Sequence, residues 1–130
     1  MRLYLAAAYS RAEEMRAMAE LFRQDGHEIT ARWIEGKHDT PPEGIEPNSR
    51  EHDAWAAQDD LDDINRSDCI VSFTGGGNRS RGGRHVEFGY GLAVGIRLVI
   101  VGEREPVFHA LPQVEVVETV DHARFLLTGA

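Results

Sequence analysis

The 130-residue chain has one cysteine, Cys69, and only 8% aromatic residues. A lone cysteine excludes an intramolecular disulfide, so an ordinary apolar core must hold the fold and a reducing cytoplasm is the expected compartment. Its setting in "CIVSF" reads as a small buried hydrophobe rather than a nucleophile. No apolar run reaches membrane-spanning length, and "MRLYLAAAYSRAEE" turns acidic too early for a signal peptide, so no membrane partner is expected. Positive charge is scarce too. A formal net charge of -8 excludes the basic surface that duplex phosphates require, and with it a nucleic-acid partner.

The positive charge that is present is local: Arg79, Arg81 and Arg84 fall in one short stretch. Such a cluster suits a small anion held at one spot, and it equally suits a solvated loop. At 42% hydrophobic and 28% charged residues, without repeats or an internal boundary, residues 1–130 read as one globular domain.

Hydrophobic periodicity organises the chain. "RLYLAAA" reads as a buried strand, and Ser10 with Glu13 forms a capping box before a helix whose Met15, Met18, Ala19 and Phe22 share a face. Gly26 ends that helix, and "HEITARWI" reads as a second strand. The Pro-rich segment from Glu35 to Asn48 reads as a loop and a candidate lid. A second helix places Ala54, Ala57, Leu61 and Ile64 on one buried face, with Asp60 at its border and Asp59 and Asp63 turned away. "CIVSFT" reads as a central strand, followed by a glycine-rich loop, a helix from about Arg84 to Val94, the strand "RLVIVG", a last strand "VEVVETV" and a last helix "DHARFLL".

This alternation predicts an α/β, single-domain, doubly wound (flavodoxin- or Rossmann-like) fold: a five-stranded, mainly parallel sheet with helices on both faces. Such sheets bind ligands beyond the carboxyl ends of their strands. That edge collects Tyr9, Ser10 and Arg11 after the first strand, Trp33 after the second, and the loop Thr74 to Gly83 after the third.

The loop "TGGGNRSRGGRHVE" lacks the Gly-Lys-Ser/Thr ending of a Walker A motif, and it does not follow the first strand as a dinucleotide fingerprint would. Its glycines open backbone N–H groups to a ligand, so Ser80, Gly82 and Gly83 are candidate phosphate-binding residues. Glu87, one turn inside the next helix, either complements the helix dipole or serves as a carboxylate nucleophile. The six histidines are dispersed, without the spacing of a metal site. Tyr9 is a core residue or a site hydroxyl, and Trp33 and Trp55 read as packing residues.

Three motifs, "YLAAAYS", "DDLDDINRSDCIVSF" and "GGRHVEFGYGLAVGIRLVIVG", occur in the order and spacing of the nucleoside 2-deoxyribosyltransferase superfamily, which the chain resembles. That superfamily includes the 2'-deoxynucleoside 5'-monophosphate N-glycosidases. The resemblance implies that Glu87 is the catalytic glutamate that attacks the anomeric carbon. It implies that Asp60 orients the sugar or assists proton transfer, and that Tyr9 lies near the first-strand aromatic lining the site. With two carboxylates close together, one apparent pKa should rise and supply an acid while Glu87 stays charged.

The free-nucleoside transferases place an acid several residues before the glutamate, where this chain has Arg81, so a 5'-monophosphate substrate is favoured. Ser80, Arg81, Gly82 and Gly83 would then hold the phosphate, with Ser10 and Arg11 opposite. A base-exchanging transferase on free nucleosides and a non-catalytic nucleotide sensor remain open. No metal or organic cofactor is expected; a homodimer or larger homo-oligomer is, with "PVFHALPQ" a candidate contact.

Overall fold

The computed structural model describes residues 1–75 and 82–128. Five parallel strands form one sheet: β1 (Arg2–Ala6), β2 (Glu28–Ile29), β3 (Cys69–Phe73), β4 (Arg97–Val101) and β5 (Val114–Val117), in the spatial order β2-β1-β3-β4-β5. Every pairing is parallel, so the sheet is parallel throughout rather than mainly so. Leu3 sits opposite Cys69, and Ser72 opposite both Ala6 and Ile100, so β1, β3 and β4 run in step to one carboxyl edge. β3 is buried at every position because it lies in the middle of the sheet with both faces covered, as its unbroken apolar sequence requires.

Four helices cover the sheet: α1 (Ala12–Gln24), α2 (Arg50–Asn65), α3 (Gly83–Val94) and α4 (Val120–Thr128). The chain moves from β1 to β2 in one direction and from β2 to β3 to β4 in the other. Right-handed crossovers therefore put α1 on the face opposite α2 and α3. α2 packs on α3, while Arg124 of α4 is ion-paired at 2.8 Å to Asp25 beside α1. Met15, Ala19 and Phe22 of α1 are fully buried, each large apolar side chain contributing ~1.5–3 kcal/mol by leaving water.

Local structure departs from the sequence reading at three places. β2 pairs over two residues only, and Arg32–Glu35 is a 3-10 turn, not a strand continuing through "TARWI". Buried Trp33 and Ile34 in that turn mimic a strand's apolar content, and the Trp33 indole donates to the Leu5 carbonyl at 2.8 Å. There is no capping box at Ser10: a 3-10 turn, Tyr9–Arg11, precedes α1, and no side chain caps the helix. Asp63 is fully buried rather than turned to solvent. It accepts hydrogen bonds from the Arg32 backbone N–H (3.0 Å) and Nε (2.9 Å) and from Arg66, so it pins the chain after β2 to α2.

Candidate active site

The strand order reverses between β1 and β3, and the chain leaves these neighbours toward opposite faces, which opens a crevice at their carboxyl ends. A cleft of about 520 Å³ lies there, lined by Ala7, Tyr9, Ser10, Trp33, Ala57, Asp60, Leu61, Gly83, Arg84, Val86 and Glu87. Ala57 and Leu61 explain the apolar stripe of α2. Ala54 and Ala57 are exposed and Leu61 half-buried, so the stripe that resembled a core face is in part the wall of the cleft.

At the floor, Glu87 of α3 accepts a hydrogen bond from the Tyr4 hydroxyl of β1 and is electrostatically coupled to Asp60 of α2. Tyr4 is completely buried, so its ring is part of the core while its hydroxyl is spent on the carboxylate. Burial, reinforced by the Asp60 charge, pushes Glu87 up to about 8; burial also pushes Asp60 up to about 6. The pair therefore titrates as a unit and carries one proton near neutrality. This corrects the expectation that Glu87 stays charged while its partner holds the proton: Glu87 is the more deeply buried of the two, and desolvation outweighs its place in the first turns of α3.

The other sequence candidates are brought together unequally. Tyr9 lines the cleft beside Trp33, ring centroids 6.0 Å apart, but its hydroxyl donates to Asp39 and not to either carboxyl. The tyrosine on the carboxylate is Tyr4, concealed in the sequence by the apolar run around it. Ser10 lines the cleft; Arg11 does not, because its guanidinium is committed to Glu14 at 2.6 and 2.9 Å and reaches the Thr74 carbonyl at 3.5 Å. Gly82, with φ +93°, precedes α3, and Gly83 begins it and lines the cleft. Ser80 and Arg81 lie outside the described residues.

Arg84, one turn before Glu87, is buried and bonds Glu105 at 2.6 Å. Glu105 also accepts from the Gly75 N–H at 3.4 Å, which draws the β4–β5 connection onto the start of the glycine-rich loop.

The Pro-rich segment is anchored rather than loose. The His52 ring bonds the His38 carbonyl (2.6 Å) and accepts from the Asn48 N–H (2.9 Å), and the Ser49 hydroxyl caps α2 through the His52 N–H at 3.1 Å.

No protein-family model and no curated protein sequence matches the chain. Its fold is similar to that of solved structures. A 2-deoxyribosyltransferase from Bacillus psychrosaccharolyticus superimposes with a TM-score of 0.73 at 18% identity, over 95% of this chain and 90% of that one. The CMP N-glycosidase BcmB of Clostridium botulinum gives a TM-score of 0.59 at 18% identity, over 100% of both chains. The architecture expected from the sequence is thus shared with these two enzymes.

Proposed function

We propose that the chain is an enzyme that cleaves or exchanges the N-glycosidic bond of a 2'-deoxynucleoside, the 5'-monophosphate ahead of the free nucleoside, through a glycosyl ester on Glu87. The observation that carries this reading is the proton-sharing Glu87–Asp60 pair, held by Tyr4 at the floor of an apolar cleft of ligand size. The likeness in fold to a 2-deoxyribosyltransferase and a CMP N-glycosidase supports the reaction class.

In the first step the ionised Glu87 carboxylate attacks C1', the C1'–N bond breaks with its electron pair going to the base, and Asp60 delivers the shared proton to the base nitrogen. Positive charge developing at C1' favours ionised Glu87, so the proton moves to Asp60 as the bond stretches. In the second step water or another base attacks C1', its proton returns to Asp60, and Glu87 leaves as carboxylate. Tyr4 donates to Glu87 throughout and stabilises the carboxylate as it is released. Tyr9 and Trp33 form the wall for the base or sugar. Ser10, Gly82 and Gly83, with Ser80 and Arg81, take the phosphate end.

Glu87→Gln should abolish base release from deoxynucleoside monophosphates, lowering it by at least about 10³-fold on chromatographic assay. Undiminished release would remove Glu87 as nucleophile. A second reading, base exchange on free nucleosides, is favoured by the pairing of Arg84 with Glu105 and Arg11 with Glu14, which neutralises both described arginines near the proposed phosphate end. Adding a second base separates the two, since a transferase yields a new nucleoside and a hydrolase free sugar phosphate. A homo-oligomer using the segment around Val107 and Phe108, which are 82% and 59% exposed, is part of the proposal.

A further inference from the structure

We propose that His38, in the Pro-rich segment, is a positioning residue for the reaction, acting through Asp60 by bracing its carboxylate; this rests on the function proposed above. His38 is buried, yet no residue of the cleft wall is next to it in sequence, and it does not itself line the cleft. Its imidazole lies between two aspartates of α2. Nε2 is 3.3 Å from Asp59 Oδ2, and Nδ1 is 3.6 Å from Asp60 Oδ1.

The second distance is longer than a hydrogen bond, so the imidazole faces the carboxylate without bonding to it. Asp60 Oδ1 is buried and has no hydrogen-bond partner among the described residues, so the imidazole is the cation-forming group that faces it.

The ring cannot drift from this position. Its edge packs on Trp55, centroids 5.3 Å apart, and its own carbonyl is held by His52 at 2.6 Å. Asp59, the outer partner, is itself 3.4 Å from Arg32, which also binds Asp63, so the outer carboxylate is fixed from the 3-10 turn after β2. Asp60 therefore meets charged or titratable groups from every element around it: His38 from the loop, Glu87 from α3, Tyr4 from β1 and Asp63 along its own helix. Of these only His38 acts against the burial that raises the Asp60 carboxyl. A carboxyl that must receive a proton from Glu87, give it to a base and recover it needs a fixed direction. His38 supplies that direction without touching the substrate.

Two substitutions separate bracing from mere packing. In His38→Asn the amide nitrogen falls near the place of Nδ1 and still faces Asp60; in His38→Gln it falls near the place of Nε2 and faces Asp59. His38→Gln should lower kcat for base release about tenfold and His38→Asn no more than about threefold, both with KM within about twofold. In an Asp60→Asn background the difference between them should vanish.

Equal losses in the two variants, losses confined to KM, or a difference that survives Asp60→Asn would overturn the proposal. Melting temperatures verify folding, and should one variant fail to fold, the other is compared with wild type in both backgrounds. If the wild-type protein releases no base from any nucleoside or nucleotide, the proposed function fails by itself. NMR titration of the Asp60 carboxyl carbon then reads the bracing directly, with the midpoint raised in both variants and more in His38→Gln than in His38→Asn; a midpoint unmoved in both, or raised equally in both, overturns it.

Discussion

Glu87 and Asp60 share a proton because neither can be solvated well enough to give it up, and this fixes the expected pH response. On the proposed function, below about 6 both carboxyls are protonated and Glu87 cannot attack; above about 8 both are ionised and Asp60 has no proton to give. Base release should follow a bell with its maximum between those values, measured as kcat against pH. The same shift has a stability counterpart. Glu87 titrates higher in the folded than in the unfolded chain, so the folded state binds more protons, and stability falls as pH rises from the usual carboxylate range toward 8.

Glu87→Gln, which mimics the protonated form, should therefore raise the melting temperature at pH 8 by a few degrees, on the order of 4 °C, and by less at pH 5. Equal gains at both values would contradict the burial argument. Glu87 and Asp60 entered the sequence reading through the family resemblance, since by pattern alone one complements a helix dipole and the other belongs to an acidic helix face; the structure places both in the cleft. Tyr4 and His38 were not legible. One sits in a run that any core strand would show, and the other in a loop whose path no periodicity specifies.

At the scale of elements, α3 must lie close against the sheet for Glu87 to reach Tyr4, and at Gly91 the packing leaves no room for a side chain. A Cβ at Gly91 would stand 2.4 Å from Ile70 Cδ1 and 3.3 Å from Leu98 Cδ2, both in the core. Gly91→Ala should cost ~1–3 kcal/mol, read from thermal or denaturant unfolding, and should also lower activity by moving Glu87. The β3–β4 edge has a similar constraint at Gly102, where φ is +123° and a Cβ would come 2.6 Å from Thr74 Oγ1 and 2.9 Å from its backbone oxygen.

Element type was read well where periodicity was long, as in α1, β3, α3 and β4. It failed at the turn after β2, because burial of Trp33 and Ile34 gives the same apolar signal whether the backbone is extended or coiled. For α2 the element type was read correctly and only the burial of its apolar face was not, since a ligand cleft and a protein core ask for the same small hydrophobic residues.

For the whole molecule, a five-stranded parallel sheet with helices on both faces followed from the alternation of elements and the handedness of crossovers, neither of which depends on fine detail; the order of the strands came from the structure. Assembly state did not follow. Val107, Phe108 and Phe125 are exposed at 82%, 59% and 76%, and light scattering should find a dimer or larger species that Val107→Ser with Phe108→Ser dissociates. A wild-type protein that is monomeric at micromolar concentration would exclude that arrangement.

The Tyr4–Glu87 contact spans 83 positions of sequence, and Asp60 reaches it from a third element. Closing contacts of such separation costs loop entropy, so the cleft is expected to complete late in folding. Recovery of activity during refolding should accordingly lag the return of helical signal, and no fragment lacking β1 or α3 can hold a partial site.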